Sequence, residues 1–345
     1  MTNSIETPVY DISVNRENLS RRWLGALLSL KVNHELNVPG MFEMKFSSIN
    51  MESDTYEGLD LDFFEPGAAV KISMGLNQPS EVISGEITGI DPGFGDCSEV
   101  TVRGYDKLYR MSFGSKWKVF TKMSDSQIAS DLARKLGLST STDETGIKLN
   151  YMLQNNISDL EFISKRAKQL QYEIWVEGDK FFFKKTREGQ GSVATLNYPN
   201  DLDQLDLNLK TLEEGSKVTV VGWDVKSKKV FSGSGGDKDS MGAKQNGYQV
   251  SSKFPDSAIT ITDLTVANAS AAKKLALAES ATQLSSFIEG EGSGPGNPKL
   301  NAGKNIKIEG LSKRFSGLYY ITSSTHNYSP DEGYQTTIKV RRTGV

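Results

Sequence analysis

Between Gly296 and Arg342 the chain reads "GNPKLNAGKNIKIEGLSKRFSGLYYITSSTHNYSPDEGYQTTIKVRR", a succession of short segments cut by Gly and Pro. In Ile306-Lys307-Ile308 and Ile338-Lys339-Val340 apolar residues alternate with polar ones, which is the period of a strand with one buried face. The same period fills the stretch from Leu28 to Arg110. Leu28, Leu30 and Val32 share a face; Phe42, Met44 and Phe46 alternate with Glu43 and Lys45; Val70, Ile72 and Met74 alternate with Lys71 and Ser73. Val100 and Val102 continue the series, and Val38-Pro39-Gly40 supplies a turn. Sheets of this kind need closure or cover along their edges, so a small barrel or sandwich is expected at each end of the chain.

The middle reads differently. Ser124 and Gln127 form a capping box ahead of a stripe of Ile128, Leu132 and Leu136, and Gly137-Leu138 has the form of a Schellman stop. Ser158 and Glu161 repeat the box ahead of Ile163, Ala167 and Leu170. Tyr172, Ile174 and Val176 then run into Glu177-Gly178-Asp179-Lys180 and return through Phe181-Phe182-Phe183, a hairpin pattern whose phenylalanines are expected between sheet and helix. Further on, Val218, Val220, Trp223 and Val225 open a second strand-rich region. Gly233 to Pro255 is poor in large apolar residues and predicts a mobile surface loop. An Ala-rich helix follows with a stripe of Leu277, Ala281, Leu284 and Ile288, and its small side chains suit a close approach to a sheet.

Catalytic patterns are scarce. There are two histidines, His34 and His326. His34 shares parity with Leu30 and Val32 and reads as a structural strand residue. His326, in "SSTHNYS", has serine neighbours, but neighbours in an extended strand point to opposite faces, and a turn or interface role is expected. The single cysteine, Cys97, permits no internal disulfide and lacks the flanks of a thiol protease. Asp60, Asp62 and Glu65 lack the glycine of a calcium loop; with Asp201, Asp203 and Asp206 they read as solvated. The glycines at 233–236 and 290–296 miss dinucleotide spacing, and Gly303-Lys304 is followed by Asn305 where a P-loop needs Ser or Thr. No catalytic, metal-binding or cofactor-binding residue is therefore assigned. A formal net charge of −3 offers no global attraction to nucleic acid. With no apolar span of membrane length and a polar start, Met1-Thr2-Asn3-Ser4, the expectation is a protein without a membrane segment, made and assembled in the cytoplasm.

Three blocks carry a family resemblance. The first is Gly104-Tyr105-Asp106-Lys107-Leu108-Tyr109-Arg110, like a "G-Y-D-x-L-x-R" exit from a barrel. The second is "NNISDLEFISKRAKQLQYEIWVEGDKFFFKK", with Ser158, Asp159 and Phe162, like a "Q-x-x-x-S-D-x-x-F-x-x-R" helix and its hairpin. The third is the terminal order Gly303, Gly310, Gly317, Tyr319, Gly333, Tyr334 and Arg341. Together, from about Leu24 to Arg342, they resemble the phage late control protein D family, the baseplate hubs of contractile tails, which includes the hub part of VgrG proteins. The resemblance implies a mainly β (α+β) fold in which two tube-like β-barrels, at 1–110 and 196–345, bracket an α/β domain at 111–195. The loop at 233–255 and the Ala-rich helix at 267–288 fall within the last of these. It also implies a non-enzymatic homotrimer in a tail or injection-particle baseplate, joining a hexameric inner-tube or tube-initiator protein above to a trimeric spike below, beside baseplate wedge proteins. Only Thr343-Gly344-Val345 follow Arg342, so the spike is expected on a separate polypeptide unless the chain is cut from a longer hub–spike fusion. The alternative reading is a cell-wall-degrading or carbohydrate-binding tail component, against which the absence of a paired-carboxylate pattern argues.

Overall fold

The computed structural model describes residues 7–47, 49–50, 55–56, 61–93, 98–214, 216–224, 227–236, 241–255, 258–262, 266 and 268–345; Asp60, Cys97 and Val225 lie outside them. The first part of the chain holds β1 (Pro8–Val14), β2 (Glu17–Asn18), α1 (Arg21–Gly25), β3 (Leu27–Glu35), β4 (Met41–Ser47), β5 (Ile49–Asn50), β6 (Thr55–Tyr56), β7 (Ala69–Leu76), β8 (Ser80–Pro92) and β9 (Glu99–Tyr105). The middle holds β10 (Lys116–Phe120), α2 (Asp125–Lys135), β11 (Ser139–Thr142), β12 (Met152–Ile157), α3 (Asp159–Leu170), β13 (Tyr172–Glu177) and β14 (Lys180–Lys185). The last part holds β15 (Ser192–Asn197), β16 (Gln204–Leu209), β17 (Val218–Asp224), β18 (Lys229–Gly235), α4 (Gly247–Ser251), β19 (Ile259–Thr262), α5 (Ala269–Ser285), β20 (Ile288–Pro295), β21 (Asn305–Glu309), β22 (Gly317–Ser329) and β23 (Gly333–Arg342).

The fold is mainly β. One 13-stranded sheet runs in the order β16-β20-β23-β22-β3-β4-β9-β8-β7-β1-β2, with β21 on β22 and β15 on β21. Where two separate barrels are expected from the sequence, the pairing of β3 with β22 joins both ends of the chain into this single sheet. Among the described residues no sheet closes on itself through backbone hydrogen bonds. The cause is the length of β22, 13 residues. Its first residues pair with β21, its later ones with β3 (Ser324 with His34, His326 with Val32), and β23 lies along its other side. At the far end of the path, β1 comes back to β22 through side chains, the Tyr10 and Tyr328 rings lying 4.5 Å apart.

Among the described residues the apolar side chains form four cores. Phe42, Met44, Phe46, Val70, Ile72 and Met74 lead the first, as their alternation predicts, and Tyr334 joins them from β23. Leu28 does not: a bulge between Leu27 and Ser29 turns Leu27 inward and leaves Leu28 36% exposed. The turn after β3 is centred on Leu36 and Asn37 (φ 62°) rather than on Pro39-Gly40. The second core gathers α2, α3 and the β13–β14 hairpin around Phe162, Ile163, Phe181 and Phe183, with Phe182 outside, stacked on Trp175. Both halves of the capping box form at Ser124 and Gln127, and Gly137 and Leu138 bond back to Arg134 and Ala133 as a Schellman stop. At α3 the Ser158 half of the box forms, its Oγ accepting from the Glu161 N–H at 3.1 Å.

The third core lies under β15, β16 and β20–β23 and includes Tyr319, Ile321, Ile338 and Val340. The fourth is small. β17, expected among the opening strands of a second barrel, instead forms a separate sheet in the order β18-β17-β19, which packs on α5. The buried face of α5 is Ala272, Ala276, Ala278, Ser280 and Leu284; Leu277, expected in the stripe, is 41% exposed, and Ile288 belongs to β20. Size decides this face: a Cβ on Gly233 would overlap the Lys273 nitrogen, and one on Gly235 would lie 2.5 Å from the Leu277 nitrogen. Helix and strand backbones are thus in direct contact. The 233–255 stretch, read as a loop with little packing, ends β18, forms α4 and holds the chain terminus: the Lys244 and Gln245 amides donate to the Val345 carbonyl, and Met241 is buried.

Candidate functional site

The motif residues fall into separate clusters. Gly104 sits where β9 crosses tightly between β4 and β8; a Cβ there would overlap the Glu86 carbonyl and the Phe42 ring. Tyr105 stacks on Tyr109 with ring centres 4.3 Å apart. Asp106 is buried and caps the short 3-10 turn at Lys107–Ser112, accepting from the amides of Leu108 (2.9 Å) and Gly40 (2.7 Å). Burial pushes its carboxyl up to about 7, against the pull of these hydrogen bonds. Arg110 grips Glu86 with two hydrogen bonds, at 2.8 and 2.5 Å.

Ser158 caps α3, while Asp159 is buried between Lys116 and the Gln154 amide (2.9 Å). Phe162 stacks on Phe120. Gly310 turns the chain past the Tyr198 carbonyl, and Gly317 lies against the Arg342 guanidinium, which also covers the buried Tyr319 ring. Arg341 is bound twice by Glu188, at 3.1 and 2.8 Å, fastening β23 to the segment that leaves β14.

The first, middle and last parts of the chain meet around β3 and β22. Here the two histidines come together, ring centres 6.4 Å apart. His34 donates from Nε2 to the Val82 carbonyl at 3.1 Å. His326 is fully buried: its Nδ1 accepts from the Tyr334 hydroxyl at 2.8 Å, and its Nε2 donates to Asn301 Oδ1 at 3.0 Å. Gly333 makes the turn that brings Tyr334 back to this position. Burial pushes His34 down to about 4 and His326 to about 3, so both imidazoles are neutral near pH 7. Ser324, opposite His34 in the ladder, is buried with its Oγ unpartnered, so no His–Ser dyad forms here.

Beside the histidines lies a cleft of about 330 Å³, lined by His34 and Asp106 from the first part, Glu173 and Trp175 from the middle, and Arg187 and Lys304. Glu173 is buried and accepts from the hydroxyls of Thr186 (2.7 Å) and Tyr320; Arg187 stands 3.8 Å away and stacks on Trp175. Gly303 leaves room for that guanidinium. Burial, and then Arg187, push the Lys304 ammonium down. Asn37 completes the junction, accepting at Oδ1 from the Ile174 amide (2.8 Å) and at its carbonyl from Ser164 (3.2 Å). The chemistry is that of a clamp: neutral imidazoles, Asp106 held by backbone amides, and Glu173 held at Oε1 by two hydroxyls, while its Oε2 and the Arg187 Nε face each other at 3.8 Å with no hydrogen bond. Among the described residues no cluster suited to a metal ion occurs, and no helix is long and apolar enough to cross a membrane. Asn37, Glu173, Glu188 and Asn301 carry much of this junction and stand out in no motif. Their partners are distant in sequence, and only the turn asparagine leaves a local trace.

The model of the family described as the Alg8 N-terminal domain matches residues 4–330. No curated protein matches the chain in sequence. Among solved structures, the 43 kDa tail protein of prophage MuSo2 from Shewanella oneidensis superposes with a TM-score of 0.72 at 16% identity, over 97% of this chain and 98% of that one. A tail protein from Neisseria meningitidis gives 0.69 at 14%, over 97% and 96%. A component of the E. coli type VI secretion system, itself similar in structure to the T4 tail proteins gp27 and gp5, gives 0.64 at 12%, over 96% and 77%. At such identities the likeness is one of fold, and it runs the length of the chain, as the three motif blocks imply.

Proposed function

The chain belongs to the Alg8 N-terminal domain family, and from its fold we propose that it is the baseplate hub of a contractile injection system, a non-enzymatic homotrimer that adapts a hexameric tube to a trimeric spike. The observation that carries this reading is the end-to-end agreement of its fold with phage tail proteins, nearly complete over both chains. In this reading the first and third cores are two tube-like barrels, at 1–110 and 196–345, and 111–195 is the domain between them. The curl that brings Tyr10 back to Tyr328 supports the first of these. Three chains would place six such barrels in a ring, matching a sixfold tube on one side and a threefold spike on the other. The motif residues are then fold-setting: Gly104, Asp106 and Arg110 shape the exit from one barrel, and Gly317, Tyr319 and Arg341 shape the other. Light scattering on the chain mixed with the tube and spike proteins of its own particle tests this. Complexes containing three copies of the chain are expected; a chain that stays monomeric with both partners present overturns the adaptor role.

A further inference from the structure

The ribbon of β10 and β12 turns one face to the second core and the other to solvent. Trp117 pairs with Asn155, Lys118 with Gln154, Val119 with Leu153 and Phe120 with Met152. Phe120 and Gln154 are buried, so by strand alternation Trp117, Val119, Leu153 and Tyr151 share the opposite face. Trp117 is 70% exposed and Tyr151 60%. Val119 and Leu153 lie between them, half-buried and in none of the four cores. Among the described residues β10 and β12 pair only with each other, so the outer edges of the ribbon are open too. A contiguous apolar strip of this kind marks an interaction surface.

Along the two strands and their flanks the charged residues are all lysines; the nearby acids Asp131 and Asp159 act on Lys118, which lies over Phe120 on the ribbon's core face, and Asp159 also holds Lys116. Residues 116–123 and 148–157 contain Lys116, Lys118, Lys122 and Lys148 and no Asp or Glu. Lys116 is held by the buried Asp159, whereas Lys122 and Lys148 are exposed and flank the Met123–Leu149 bridge at the Tyr151 end. We propose that the strip docks an acidic segment of another protein, whose apolar side chains cover Trp117, Val119, Leu153 and Tyr151 while its carboxylates meet the lysine rim. Charge complementarity selects this occupant. A symmetric contact with a second copy would set lysines against lysines. A single nucleic-acid strand would need aromatic faces about one base step apart, but Trp117 and Tyr151 sit about 13 Å apart along the ribbon with an aliphatic pair between them.

Fluorescence anisotropy with the full chain decides it, using three labelled probes: a short peptide alternating Leu and Val with Glu, the same peptide with Lys for Glu, and an oligo-dT strand. The acidic peptide is expected to bind roughly tenfold more tightly than the basic one. Trp117→Ala, and separately Lys122→Glu combined with Lys148→Glu, are each expected to weaken it by roughly tenfold without moving the thermal midpoint, since all three side chains are exposed. No binding of the acidic peptide, equal binding of the two peptides, or tighter binding of the oligonucleotide would overturn the assignment. So would self-association that Trp117→Ala abolishes. The reading does not depend on the hub role, which is tested by copy number with tube and spike, so either can fail alone.

Discussion

Proton uptake at the junction opposes folding at two residues and favours it at a third. His34 and His326 have folded pKa values of about 4 and about 3, below the ordinary 6.5. As pH falls from 6.5 towards 4, the unfolded chain therefore binds protons that the folded chain does not, and stability is lost. Asp106 works in reverse. Its folded pKa of about 7 lies above the ordinary 3.8, so over the same window the folded chain keeps a proton that the unfolded chain has released. Two groups against one leave a net destabilisation of about 1.4 kcal/mol per pH unit from these three residues. Asp106→Asn removes the opposing uptake and should roughly double that slope. Urea midpoints measured between pH 6.5 and 4.5 for both proteins check this; parallel slopes would mean that Asp106 is ionised in the folded chain.

At the scale of elements, α5 and β18 show where local pattern carries information and where it stops. The apolar period of α5 points to Leu277, yet the buried face is the alanine side, because Gly233 and Gly235 let two backbones meet and only small side chains fit between them. Gly235→Ala is accordingly expected to cost about 1–3 kcal/mol by overpacking, and Leu277→Ala about 0.5 kcal/mol or less. Chemical denaturation of the two variants should rank them in that order; the reverse ranking would restore the stripe read from periodicity. Features set within a few residues were legible in advance: the Ser124–Gln127 box, the Gly137-Leu138 stop, the β13–β14 hairpin and the alternation of β4 and β7. The pairing of β3 with β22 was not, since nothing local to His34 or His326 encodes a partner almost the whole chain away. The motif glycines could be located but not explained. What Gly104 makes room for is the Phe42 ring and the Glu86 carbonyl, on two other strands.

For the molecule as a whole, the first core is completed by strands from the other end of the chain, since Tyr328 and Tyr334 pack against it and β3 takes β22 as a neighbour. A fragment of residues 1–110 would leave that side of the core open to water. It is expected not to fold alone, giving a collapsed amide NMR spectrum and strong binding of an apolar dye, and a well-dispersed spectrum from the fragment would show this expectation to be wrong. The same shared strand sets how the protein bears force. Ladder hydrogen bonds run perpendicular to their strands, and β22 carries ladders on both sides, with β23 along one edge and β21 then β3 along the other. A pull along β22 loads these bonds together, in shear, whereas a pull across it opens them one after another. The chain is in that sense a directional material, stiff along one axis and easily peeled along another, and its orientation in any assembly under tension decides which of the two it is.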